Sequence, residues 1–239
     1  HRGAPRGEAS ATLPPSAFVA FLQNHDQVGN RALAERLTLL ADPQALHAAT
    51  ALLLLAPQIP LMWMGQEWDS REPFHYFTDY SSPLAEAVRD GRRREFATFP
   101  AFRDEDARLA IPDPNAFETY RSSIPDFEAA SRGEGALAVS RCRELLALRE
   151  RHITPHLSTV RIIDSRALGS AAVLARWRLA AGRTFSIQVN LGSETVPCDP
   201  NVHGSLLYET RNGAVDTLRS GSLEPCTLIA LIETGNDDV

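Results

Sequence analysis

The chain has 239 residues, 44% of them hydrophobic, enough to bury a sizeable core as one large domain or two smaller ones. A formal net charge of −6 and a pI near 5.7 exclude the basic surface that nucleic acids or anionic membranes select. No run is long enough to span a bilayer and the N-terminus lacks a charged-then-apolar leader pattern, so a soluble, cytoplasmic protein is expected.

Every basic residue is Arg, which reads as a base-composition bias rather than a functional signal. Cys142, Cys198 and Cys226 are odd in number, far apart and without CxxC spacing. They read as reduced thiols, not as a disulfide frame or a metal site.

Residues 1–16, rich in Gly, Pro, Ala and Arg, read as a loop. An apolar run with aromatics over 18–24 follows, bounded by Pro15 and Gly29, and reads as a buried parallel strand. It stops at His25-Asp26, so the polar pair stands just past a strand end, where α/β barrels build their active sites. Asp42 and Pro43 form an N-cap and first-turn pair, the Ala/Leu-rich 44–56 segment favours helix, and Pro57 ends it. Residues 59–64 are a second buried strand that ends in Gly65-Gln66-Glu67, completing a βαβ crossover.

Six prolines, from Pro73 to Pro125, and many aromatics mark the next seventy residues as a long insertion, with one helix over 84–96 carrying Arg92-Arg93-Arg94. That triple Arg reads as a solvated or ion-paired face. Residues 136–151 return to helical spacing. Beyond Pro155 the period becomes two: 173–179 and 185–191 alternate around a turn at 180–183, and 205–210 and 227–232 are further strands. This part is expected to be a small antiparallel β-sandwich.

Gln23-Asn24-His25-Asp26 together with Met64-Gly65-Gln66-Glu67-Trp68 resembles the last two barrel-strand motifs of the α-amylase superfamily of glycoside hydrolases. The longer 18–31 segment, Pro73-Phe74-His75-Tyr76-Phe77-Thr78-Asp79, Gly91-Arg92-Arg93-Arg94-Glu95-Phe96 and Pro112-Asp113-Pro114 look most like the malto-oligosyltrehalose trehalohydrolase family. The likeness covers most of 1–155; beyond it only the order of elements matches. Glycogen branching enzymes, which share the His-Asp pair, rank second.

The resemblance implies an α/β plus all-β chain: the C-terminal part of a (β/α)8 barrel over 1–155, then the β-sandwich over 156–239. It implies hydrolysis of the α-1,4 bond next to the trehalosyl end of a malto-oligosyltrehalose or related α-glucan, with no cofactor and no metal. Asp26 is then the third acid of the catalytic trio, a transition-state stabiliser that binds the 2- and 3-hydroxyls of the sugar being cleaved. His25 donates to the same hydroxyls. Hydrogen bonds there, and a carboxylate facing the developing positive charge, lower the barrier to an oxocarbenium-like state. Gln27, Arg31, Gln66, Glu67 and Tyr76 are candidates to line the substrate site, and Trp68, Phe74 and Phe77 to stack on sugar rings.

A whole barrel needs eight strands and about 250 residues, and retaining cleavage needs a nucleophile and an acid/base. By resemblance both carboxylates lie on earlier strands, before residue 1. The chain alone is therefore expected to be inactive and to need the missing N-terminal barrel portion. Two other classes compete. One is a non-catalytic carbohydrate-binding fragment. The other is a metal-dependent phosphohydrolase, for which His47 and His75 lack supporting acidic spacing.

Overall fold

The computed structural model describes residues 8, 10, 12–201 and 203–233. Of the loop expected over 1–16, residues 1–7, 9 and 11 lie outside them. The described residues form two compact units, each discontinuous in sequence. One takes in those within 1–20, 47–61 and 145–239, the other 21–46 and 62–144.

In the first unit, β1 (Val19–Ala20) pairs in parallel with β2 (Ile59–Pro60), Val19 opposite Ile59 and Ala20 opposite Pro60. The parallel pairing is as expected, but the strands are two residues long and not buried: Val19 is 58% exposed. A parallel strand is buried only when neighbours cover both faces, and among the described residues this pair stands as a two-stranded sheet.

The connection between them carries three helices, α1 (His25–Gly29), α2 (Leu37–Leu40) and α3 (Pro43–Leu55). The cap expected for α3 is present: Asp42 Oδ1 accepts from the amides of Gln44 (2.9 Å) and Ala45 (3.0 Å). At its other end Arg149 donates to the carbonyls of Leu54 (3.0 Å), Ala56 (2.5 Å) and Gln58 (2.7 Å). A cation at a helix C-terminus satisfies the orphan carbonyls and opposes the helix dipole.

In the second unit, α4 (Leu84–Phe96) has the expected bounds. The rest of the insertion is ordered by short helices, among them α5 (Glu105–Leu109) and α6 (Phe117–Arg121). A small core of Ala32, Phe96 and Ile111 holds it, with Phe102 packed alongside. The helix expected over 136–151 is α7 (Gly133–His152), which belongs to the second unit as far as Glu144 and to the first from Leu145; its buried residues include Ala138, Cys142 and Leu145.

The C-terminal residues make a five-stranded antiparallel sheet of β3 (Arg161–Gly169), β4 (Ala172–Arg178), β5 (Thr184–Asn190), β7 (Ser205–Glu209) and β9 (Thr227–Glu233). Its order is β3-β4-β5-β9-β7, and a short antiparallel pair, β6 (Val196–Pro197) with β8 (Ser222–Leu223), lies apart from it. The expected hairpin is β4–β5, where Trp177 faces Phe185 in register and stacks on it at 5.5 Å. The central strand departs from its alternating pattern in one respect. Ser186, Gln188 and Asn190, its polar face, are buried as well as Phe185, Ile187 and Val189.

Cover on the polar face comes from α8 (Ala214–Arg219), β6 and β8. Ala214, Val215, Leu218, Leu223, Ile229 and Leu231 form one cluster there, with Leu168, Val196 and Cys198 packed against it. On β7, Tyr208 meets His47 of α3 through a 2.9 Å hydrogen bond.

Candidate functional site

The segment from Gln23 to Leu37 is fastened by its own side chains. Asn24 Oδ1 accepts from the Asp26 amide at 2.8 Å, and Gln27 Oε1 accepts from the Asn24 amide at 3.0 Å, a capping box that starts α1. Gln23 is buried and takes the Leu37 amide at 3.0 Å. This locks the backbone on either side of His25 and Asp26 while leaving both side chains about two-thirds exposed. His25 Nε2 lies 3.3 Å from Asp26 Oδ1, and the imidazole packs against Trp63 at 5.6 Å between ring centroids.

Trp63 lies in the loop after β2 (Ile59–Pro60), so His25 and Trp63 bring the two strand-end motifs together within the second unit. From Trp63 the aromatic rings continue edge to face, through Phe74 (5.0 Å) and Phe77 (5.8 Å) to Tyr120 (5.4 Å). Trp68 stands elsewhere, against Phe127.

The other expected site residues act on the backbone. Gln66 is buried and its Oε1 accepts from the Trp63 amide at 3.3 Å, while Glu67 Oε2 accepts from the Gly65 amide at 3.0 Å. Both shape a turn in which Gly65 has φ +91° and a Cβ would stand 2.7 Å from the Ser70 Cβ, a place only glycine fills without strain. Arg31 pairs with Glu35 at 3.1 Å. Burial, the largest single influence, would raise the Glu35 carboxyl, but the Arg31 hydrogen bond, a backbone hydrogen bond and the charges of Arg31 and His75 together outweigh it and hold Glu35 below the usual carboxylate range.

Two arginines that sequence reasoning did not single out hold the site together. Arg36 is fully buried and donates to the carbonyls of Glu72 (2.6 Å) and Met64 (2.7 Å), closing the loop that carries Gln66 and Glu67. Burial lowers its guanidinium, and the nearby Glu72 and Glu67 oppose that shift.

Arg92 corrects the solvated-face reading of the triple Arg. It is half-buried, donates to the carbonyls of Gly29 (2.5 Å) and Arg31 (2.9 Å), and lies 5.3 Å over the rings of both Tyr76 and Phe96. Tyr76 therefore supports the arginine that fixes the end of α1. His75 is also half-buried. Burial first, and then Arg92, hold its imidazole below the ordinary histidine range.

Cys142 and Cys198 are free thiols, and burial with the charges of Asp69 and Glu67 pushes the Cys142 thiol up to about 11. Among the described residues no group of three or more His, Cys, Asp or Glu gathers as a metal centre would require, and no helix is long and apolar enough to cross a membrane. Chemically, the corner offers a solvent-facing carboxylate and imidazole on a rigid backbone beside a tryptophan. That combination can bind vicinal hydroxyls and steady positive charge.

Residues 161–229 match a family described as a domain of unknown function (DUF3459). In the solved structures, a candidate alpha amylase from Salmonella typhimurium is 37% identical with a TM-score of 0.83, over 98% of this chain and 38% of that one. The chain is thus related to the glycoside hydrolases of the α-amylase superfamily.

Among curated proteins it is similar to malto-oligosyltrehalose trehalohydrolases. The one from Deinococcus radiodurans is 42% identical over 147 residues, 60% of this chain and 23% of that protein. The one from Brevibacterium helvolum is 32% identical over 231 residues, 93% of this chain and 36% of that protein. The resemblance carried by the His-Asp and Gly-Gln-Glu motifs is borne out. The chain spans about a quarter to a third of the length of these two relatives.

Proposed function

We propose that the chain is the C-terminal part of a retaining glycoside hydrolase that releases trehalose from malto-oligosyltrehalose. Residues 1–155 are the end of its (β/α)8 barrel, and 156–239 are the β-sandwich that follows in sequence. The observation that carries this reading is the His25–Asp26 pair, solvent-facing on a capped backbone and packed against Trp63 from the second motif.

In the reaction Asp26 accepts hydrogen bonds from the 2- and 3-hydroxyls of the sugar and faces the positive charge that grows as the glycosidic bond breaks. His25 donates to the same hydroxyls. Both contacts strengthen as the ring flattens, so they lower the barrier more than they aid ground-state binding. The capping role of Gln27 and the turn contacts of Gln66 and Glu67 suit residues that shape this corner from behind. Arg31 pairs with Glu35, and Tyr76 packs under the Arg92 guanidinium that holds the end of α1.

The nucleophile and proton donor come from the preceding barrel strands, so the 239-residue chain alone is inactive and works joined to them, in the cytoplasm. The test is product analysis on malto-oligosyltrehalose with the full-length protein and with this chain. Trehalose from the former and none from the latter is expected. New α-1,6 branches in amylose without trehalose release would make the protein a branching enzyme instead. Trehalose from the isolated chain would show that its catalytic residues are misassigned.

A further inference from the structure

Beside the cluster under α8, on the same side of the five-stranded sheet, lies a depression with about 510 Å³ of free space, part of it open to solvent. Antiparallel register brings its residues to one face: Arg166 stands opposite Leu174, Leu174 opposite Gln188, and Arg176 opposite Ser186. Ser186 and Gln188 are 8% and 4% exposed, yet among the described residues neither side chain has a hydrogen-bond partner, and both line the depression. Their hydroxyl and amide are therefore left facing the open depression, where water bonds them until a ligand with matching groups takes its place.

The rim decides what that is. Arg166 and Arg176 are matched by Asp199 and Glu233. Arg176 already spends its guanidinium on Asp164, at 2.6 and 3.0 Å, whereas Arg166 reaches Asp199 only at 3.9 Å and keeps donors to offer. An anion would face Asp199 and Glu233, and a cation would face the two arginines. A neutral ligand whose groups both donate and accept meets neither penalty. The Gln188 amide and Ser186 hydroxyl have the same double character, and the Leu174 side chain gives a small apolar bed. We propose that this depression binds a neutral, hydroxyl-rich ligand, one or two pyranose rings, at a site separate from the His25–Asp26 corner. Among the described residues no Trp, Tyr or Phe lines it to stack on a sugar face, His203 being its one ring, so affinity in the millimolar range is expected, on the order of 4 kcal/mol of binding free energy.

The experiment titrates the isotope-labelled full chain with maltose, inorganic phosphate and calcium chloride in separate series, following the Gln188 side-chain amide and the Ser186 backbone amide by NMR. Maltose should shift both signals saturably, while phosphate and calcium leave them in place. Gln188→Leu keeps the side chain's bulk, and Arg166→Ala changes an exposed rim residue. Each should weaken maltose binding, read at Ser186, roughly tenfold, as expected for one lost hydrogen bond. No saturable shift with maltose up to about 100 mM, a response to phosphate or calcium instead, or unchanged affinity in both variants would each overturn the proposal.

Discussion

Removing the Arg92 guanidinium should loosen the His25–Asp26 corner, because that group ties the end of α1 to α4. Its Nη2 donates to the Gly29 and Arg31 carbonyls at 2.5 and 2.9 Å, and its plane lies over Tyr76 and Phe96. Hydrogen bonds from a charged donor are worth about 1.5–3 kcal/mol each and the ring contacts about 0.5–1 kcal/mol. Against this stands the desolvation of a half-buried cation, which lowers its pKa. A net loss of about 2–3 kcal/mol is expected for Arg92→Ala. Arg92→Lys, with its charge on a single nitrogen and no stacking plane, should lose about half as much.

Arg94, exposed on the same helix, serves as the control, with Arg94→Ala expected within about 0.5 kcal/mol of the parent. Urea unfolding followed by tryptophan fluorescence is the assay, since Trp63 and Trp68 lie in the same unit as Arg92. If Arg92→Ala unfolds with the parent midpoint, or no earlier than Arg94→Ala, the bridging role is wrong.

Arg149→Met leaves the Leu54, Ala56 and Gln58 carbonyls without their shared donor, and should cost about 3–4 kcal/mol by urea unfolding; a loss under about 1 kcal/mol would mean that water replaces the guanidinium. Stability should fall on mild acidification, because burial holds His75, His152 and His156 below their ordinary value of 6.5. Below that value the unfolded chain binds protons that the folded chain refuses, so the midpoint temperature is flat above about pH 7.5 and drops as the pH falls through 6.5. His75→Gln should flatten the slope, and a midpoint that rises on acidification would contradict the assignment.

The elements most legible in the sequence were those with local punctuation. Asp42-Pro43 and Pro57 frame α3, and the strict alternation over 185–191, with the near alternation over 173–179 and the turn at 180–183, points to the β4–β5 hairpin. Strand β3 was missed because it has little pattern to read. It is an edge strand, largely exposed, with register irregularities after Ile162 and Ala167, so no apolar face repeats along it.

The burial of Ser186 and Gln188 was hidden for a different reason. A polar residue every second position implies a solvated face unless another layer covers it, and α8 with the β6–β8 pair is non-local to β5. In the site, His25 and Asp26 were found by motif, since exposed side chains leave no trace in hydrophobic periodicity. Arg92 read as one of three charges because its acceptors lie 63 and 61 residues away.

Whether Asp26 works on the transition state is read most directly from steady-state kinetics of Asp26→Asn in the full-length protein on malto-oligosyltrehalose. The substitution keeps the shape of the corner and the Asn24 cap on the backbone amide of residue 26, while removing the charge. A fall in kcat of roughly 10³-fold or more is expected, with KM changed by less than about tenfold, the signature of an interaction made mainly in the transition state. A kcat within about threefold of the parent would contradict it, and Asp26 would then be no more than an exposed residue on a capped turn.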